Sequence, residues 1–336
     1  MDIRKKQIFL LSCAFLLPAV FLLLFSPFSS ARLDKKHTDK MIMAHPSRLW
    51  ALNPGYDDGH IRINSKGCRG AEPDKRELLL LLGDEHIFSE NKSEKETFAW
   101  FLEQSLQKVN CNIQVMNGGV PFYSIAQMLS WAEEKAIKPD YACITYSVHD
   151  QDPADITDSE YIGSYLAQDI KRFLWGGYIS RSFISGRIEY NYDDFCKMRE
   201  QKGSTRRVPV TDQRRCMKLI SELFRSEGCK GIFFLHLPSA APRFEKIHAQ
   251  DYESLKEHRK NAALDLSLDE AELRFVDFAD EFGYLCDLHE IWHNDGRIKD
   301  ESLAGSVELT AKGCEAAAGD FVKEIIRRKL ISPIQK

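Results

Sequence analysis

Leu78-Leu79-Leu80-Leu81-Leu82-Gly83-Asp84-Glu85 is a run of five leucines closed by a glycine and two acids. Apolar residues without alternation fit a strand buried on both faces, as strands of a parallel sheet are. Outward from this run, residues 113–116, 141–146, 231–236 and 274–278 have the same short apolar character and read as further strands. Helical periods lie between them. Residues 94–109 put Phe98, Phe101, Leu102, Leu106 and Val109 on one side, and residues 123–135 do the same with Ile125, Met128, Leu129, Trp131 and Ala132. Residues 213–225 and 312–329 read as two more helices. Strands alternating with helices predict an α/β fold: a single doubly wound parallel-sheet domain, helices on both faces.

The chain has 336 residues, 43% hydrophobic and 29% charged, with a net charge of −4. That balance gives no basis for a nucleic-acid partner. No Gly-Lys-Ser/Thr loop and no Cys-x-x-Cys pair occurs, so nucleotide and zinc-ribbon chemistry have no motif to stand on. Arg4-Lys5-Lys6 precedes an uncharged apolar stretch, residues 7–25, close to the length that crosses a bilayer as a helix. This predicts a short cytoplasmic tail (1–6), a transmembrane helix (7–25), a linker and lead-in (26–60) and an exported domain (61–332). The protein is expected in the inner, cytoplasmic membrane as a single-pass protein with its C-terminal domain periplasmic. A cleaved signal peptide ending near Ser29-Ser30-Ala31 is the alternative. Residues 151–212 interrupt the alternation and read as a partly helical insertion rich in aromatics. Of nine cysteines, Cys143 lies in an expected core strand, and several read as small buried hydrophobes rather than disulfide partners.

Four blocks carry a resemblance. Ile63-Asn64-Ser65 with Gly67, Arg69 and Gly70 leads in to Gly83-Asp84-Glu85. Asn117-Gly118-Gly119-Val120-Pro121 follows, then His149-Asp150, and finally Glu308-Leu309-Thr310 with Gly313. Together they resemble exported bacterial members of the SGNH (GDSL-type) hydrolases, a flavodoxin-like fold. The resemblance implies a Ser nucleophile where this chain has Glu85, an oxyanion glycine where it has Phe122, and an oxyanion Asn where it has His149. It implies a catalytic His at the position of Glu308 and an Asp at Gly305. Gly83, Asp84, Asn117, Gly119, Asp150 and Gly313, which shape turns, are retained. A rival alignment would use Glu290 and His293 as the acid and histidine.

Each departure removes a separate function. Without Ser there is no acyl-enzyme, and without the His there is no base to activate a nucleophile. The resemblance therefore implies an SGNH-like protein without the family's hydrolysis, holding a vestigial pocket of Asp84, Glu85, Asn117, Gly119, His149, Asp150 and Glu308. Glu85, His149 and Glu308 together also suit a divalent cation or an acid–base pair. Residues that merely bond one another are the reading adopted, with no cofactor and no metal. His289 and His293, four apart, are a weak ligand pair, and His60, His86 and His236 show no ligand spacing. The role expected is binding or scaffolding at the cell envelope. Expected partners are a membrane-bound O-acyltransferase or other envelope membrane protein, and a glycan ligand. The alternatives are an esterase, acetyltransferase or glycan-modifying enzyme with a non-standard Glu/His site, or a structural subunit of an envelope complex.

Overall fold

The computed structural model describes residues 41–45, 48–134, 137–151, 153–154, 157–159, 205–238, 270–297 and 309–332. The expected transmembrane segment, Gly305, Glu308 and most of the 151–212 insertion lie outside them. Among the described residues no helix is long and apolar enough to cross a membrane.

An antiparallel pair, β1 (Ile42–His45) and β2 (Leu49–Leu52), precedes the main sheet. The main sheet holds β3 (Glu77–Gly83), β4 (Ile113–Gly119), β5 (Tyr141–Thr145), β8 (Gly231–His236) and β9 (Tyr284–Asp287). A two-residue pair, β6 (Pro153–Ala154) with β7 (Thr205–Arg206), stands apart from it. The order in the main sheet is β4-β3-β5-β8-β9, and every pairing is parallel. This is the doubly wound arrangement expected, with the strand order reversing between β3 and β5.

The five leucines explain why β3 is central. Leu80 and Leu82 point into one core with Met116, Ile144 and Phe234. Leu79 and Leu81 point into the other with Phe98, Cys143 and Phe321. Two faces, both dry, require apolar residues at successive positions. The first face is covered by α3 (Ile125–Glu134), α4 (Val210–Ser226) and α5 (Glu270–Phe282). The second is covered by α2 (Phe98–Lys108), α6 (Leu288–Asn294) and α7 (Ala311–Arg327). A single turn, α1 (Glu85–Phe88), follows β3 directly.

Two expectations are corrected. Residues 274–278 are not a strand; they lie within α5. Leu273, Val276 and Ala279 are buried at intervals of three, a helical period that a five-residue window mistakes for a strand. The fifth strand is instead β9, entered through Gly283, where a Cβ would come within 2.7 Å of the Ile232 carbonyl. The expected helix over 94–109 is a 3₁₀ turn, Glu94–Glu96, followed by α2, with Thr97 accepting the Trp100 N–H at 3.2 Å as its cap.

Five cysteines, Cys111, Cys143, Cys216, Cys229 and Cys286, are free among the described residues. Burial pushes the Cys216 thiol up to about 12 and raises Cys143 well above its ordinary value. A thiol held protonated is a poor nucleophile and a poor metal ligand.

Candidate functional site

The strand reversal between β3 and β5 sets the place. In open α/β sheets ligands bind beyond the carboxyl ends of the strands at such a point. Here the chain leaving β3 carries Asp84, Glu85 and His86, and the 3₁₀ turn after β5, Val148–Gln151, carries His149 and Asp150. The structure therefore links Asp84 to His86 and Glu85 to His149 across the two segments, while the Asp150 carboxylate is bonded elsewhere, to Ile125 and Gln213.

Asp84 is fully buried and caps α1, its Oδ1 accepting the His86 N–H at 3.0 Å. The same oxygen lies 2.8 Å from His86 Nδ1. Burial pushes the Asp84 carboxyl up, but the adjacent His86 and the nearby His149 outweigh it and hold the group at about 2. Glu85 reaches across to the second segment, with both carboxylate oxygens 2.8 Å from His149 Nε2. Its Oε2 also accepts the Phe122 N–H at 3.2 Å. Burial and the neighbouring Asp84 raise the Glu85 carboxyl, while its bond to His149 more than offsets them, so it is lowered from its ordinary value. His149 is buried, and the Phe122 ring closes edge-on against it at 5.1 Å between centroids.

Phe122 adopts a left-handed backbone, φ 62°, which costs a non-glycine residue roughly 1–2 kcal/mol. Its surroundings hold it there. The Phe122 carbonyl accepts from Arg207 Nη1 at 3.1 Å, and Trp50 Nε1 donates to the Pro121 carbonyl at 3.0 Å. Tyr123 OH donates to the Trp50 carbonyl at 2.6 Å, and Ser147 Oγ donates to the Tyr123 carbonyl at 2.6 Å. The resulting turn aims the Phe122 N–H into the crevice.

The other residues singled out in the sequence are scaffold. Asn117 Nδ2 donates to the Ile87 carbonyl at 2.7 Å, and Asn117 Oδ1 accepts the Gly119 N–H at 3.0 Å. Gly119 is small because a Cβ there would come within 2.5 Å of the Phe88 nitrogen. Arg69 donates to the carbonyls of Phe88, Ser89 and Lys92, tying down the end of α1. Glu290 and His293, the rival acid and histidine, lie on α6 after the edge strand β9, away from the β3–β5 reversal.

Asp150 is buried; its Oδ1 accepts the Ile125 N–H at 2.8 Å and its Oδ2 accepts from Gln213 Nε2 at 3.3 Å. Burial dominates and pushes its carboxyl from 3.8 up to about 7. Gln213 Oε1, beside it, has no hydrogen-bond partner. The sign follows from the raised value. The folded state holds the proton more tightly than the unfolded chain, so stability falls as pH rises from about 4 to about 7. Asp150→Asn keeps the acceptor for Ile125 and, with the Gln213 amide turned over, donates to Gln213 Oε1. The variant should be about 1–3 kcal/mol more stable than the parent at pH 8, with roughly half that gain or less at pH 5, read by urea unfolding at both.

His86, Arg207 and Asp158 are missed by sequence reading. His86 is signalled only by its place two residues after an acidic helix cap. Arg207 and Asp158 sit in the expected insertion, where no motif marks them. A second missed cluster lies at the ends of β8 and β9: His236 Nδ1 is 3.0 Å from Asp287 Oδ1, and its Nε2 is 3.7 Å from Glu272. His289 stacks on His236 with ring centroids 5.0 Å apart. His236 and Asp287 end neighbouring parallel strands, which the sequence reveals only once the strand order is known.

No family model matches the chain, and no curated protein matches it. Solved structures do. The acetylxylan esterase Axe2 from Geobacillus stearothermophilus is 14% identical over 74% of this chain and 94% of its own, at a TM-score of 0.42. A lipase/acylhydrolase from Enterococcus faecalis is 13% identical over 77% of this chain and all of its own, TM-score 0.43. A lipolytic protein of the G-D-S-L family from Desulfitobacterium hafniense is 11% identical over 74% of this chain and 98% of its own, TM-score 0.39. The likeness says nothing of its activity.

Proposed function

We propose that this is a catalytically inactive SGNH-like protein, anchored in the membrane through residues 7–25, which binds or scaffolds at the cell envelope. One observation carries the loss of hydrolysis. Glu85, at the position where the resemblance implies a serine, is bonded to His149 Nε2 and to the Phe122 N–H. Those are the two positions where the resemblance implies oxyanion donors. A carboxylate that takes both supplies no hydroxyl for acyl transfer and occupies the groups meant for developing negative charge. The hydroxyls bonded into this neighbourhood are no substitute. Ser147 donates to the Tyr123 carbonyl and Ser124 donates to Asp158, and both are buried.

The apolar segment after Arg4-Lys5-Lys6 supports the anchor. A glycan ligand and a membrane-bound O-acyltransferase partner follow from the sequence resemblance alone. The test is chemical. Purified full-length protein should give no turnover of simple acetyl esters and no covalent labelling by a fluorophosphonate, and Glu85→Ser alone should not restore either. Turnover abolished by Glu85→Ala would overturn the reading. Pull-down of the full chain from membranes, with an acyltransferase or another envelope membrane protein identified, addresses the scaffold role; recovery of the chain alone counts against it.

A further inference from the structure

Glu85 is held as a bound ligand is held. Both of its carboxylate oxygens lie 2.8 Å from His149 Nε2, and Oε2 also accepts the Phe122 N–H at 3.2 Å. An ionised carboxylate only accepts, so Nε2 carries the proton and donates. One donor is thus a buried ring, and the other is a backbone amide aimed by a left-handed turn. The Glu85 side chain is 13% exposed, so these bonds form largely out of water.

The surroundings select negative charge at this spot. Burial and the adjacent Asp84 oppose it, yet the bond to His149 and the nearby His149 and His86 outweigh them, and the Glu85 carboxyl is lowered from its ordinary value. A dry pocket without such donors would raise it. The donors are also placed by bonds that do not involve Glu85. Arg207 holds the Phe122 carbonyl at 3.1 Å, and Trp50 holds the Pro121 carbonyl at 3.0 Å. Ser147 Oγ accepts the His149 N–H at 3.2 Å and donates to the Tyr123 carbonyl at 2.6 Å, which ties the two donor segments together. Cutting back Glu85 therefore leaves the donors where they are.

We infer that His149 Nε2 and the Phe122 N–H form a receptor for a short carboxylate, which the parent chain fills with Glu85 as a tethered ligand and which opens to an external carboxylate once that side chain is cut back. This receptor rests on the inactive reading above, in which Glu85 accepts from the same two donors. In the parent the tether gives Glu85 a high effective concentration, so an external acid does not displace it.

Glu85→Ala removes the atoms of an acetate. Glu85→Ser, whose hydroxyl takes the place of one carbon, removes those of a formate. Full-length parent and both variants are titrated by calorimetry at neutral pH and constant ionic strength with acetate, formate and the neutral acetamide. Glu85→Ala should bind acetate with a dissociation constant on the order of millimolar, about ten-fold or more tighter than acetamide. At ten times that constant, acetate should raise the Tm of the variant by about 2–5 °C and leave the parent unmoved. Glu85→Ser should bind formate likewise, and it supplies the second measurement if Glu85→Ala does not fold. No carboxylate binding in either variant, acetamide bound as tightly as acetate, or equal binding by the parent would each overturn the receptor. Ester turnover on the same samples separates the two readings. Absent carboxylate binding with absent turnover removes the receptor and leaves the inactive domain, whereas turnover by the parent overturns the inactive domain.

Discussion

Arg207→Ala should destabilise the protein by about 3–5 kcal/mol, the range for removing one partner of a buried ion pair. Arg207 and Asp158 are both buried, with Nη2 at 3.0 Å and Nε at 3.2 Å from the carboxylate oxygens. Removing the guanidinium leaves Asp158 with the Ser124 hydroxyl at 2.6 Å and no adjacent Arg207 cation. It also strips donors from the Phe122 carbonyl and from Gln127 Oε1, at 3.1 and 2.8 Å. Loss of the bond to Phe122 frees a turn that is already strained, so the Glu85–Phe122 contact should loosen with it. Guanidinium chloride unfolding of the variant and its parent measures the cost. The double variant Arg207→Met, Asp158→Leu should recover much of it, because replacing a buried pair by apolar groups is often neutral. A loss under about 1 kcal/mol in the single variant would show that the pair contributes little.

The second large effect is a pH dependence. His236 is buried between Asp287 and Glu272, with His289 stacked on it and the Tyr146 ring edge-on at 6.1 Å. Burial lowers its proton affinity, but Asp287 and then Glu272 outweigh burial and raise it from 6.5 to about 10. A raised folded value means that the stabilisation is complete below the unfolded value and is lost as pH climbs toward the folded one. Stability should therefore fall by a few kcal/mol between about pH 6.5 and 10. Asp287 gives the opposite limb. Burial raises its carboxyl, His236 outweighs that and lowers it, and its contribution is lost as acid protonates it. Urea midpoints from pH 6 to 9.5 test the alkaline limb. His236→Gln should make the profile flat there, and an unchanged slope in that variant would assign the loss to other groups.

The fold was legible because burial on both faces leaves a mark that needs no tertiary knowledge. Five successive leucines can only be central, and the helices at 98–108 and 125–134 carry apolar stripes of their own. Legibility failed at α5, where Phe275, Val276 and Phe278 mimic a strand over five residues and the helical period shows only over thirteen. The crevice was half legible. Asp84, Glu85, Asn117 and His149 sit in motifs with fixed spacing. His86, Arg207, Asp158 and His236 do not, because their partners are brought to them by strand order and by a positive-φ turn at Phe122.

What the sequence alone determined is a parallel α/β sheet and an acid, Glu85, directly after Gly83-Asp84 at the end of its central strand, since both depend on residue type and local spacing. What only the tertiary structure decided is the use made of that glutamate. Its partners, His149 and Phe122, lie 64 and 37 residues away, and closure of the sheet at the β3–β5 reversal sets them around one carboxylate. Burial then makes those bonds hard to give up, because an ionised group removed from water needs every partner it has.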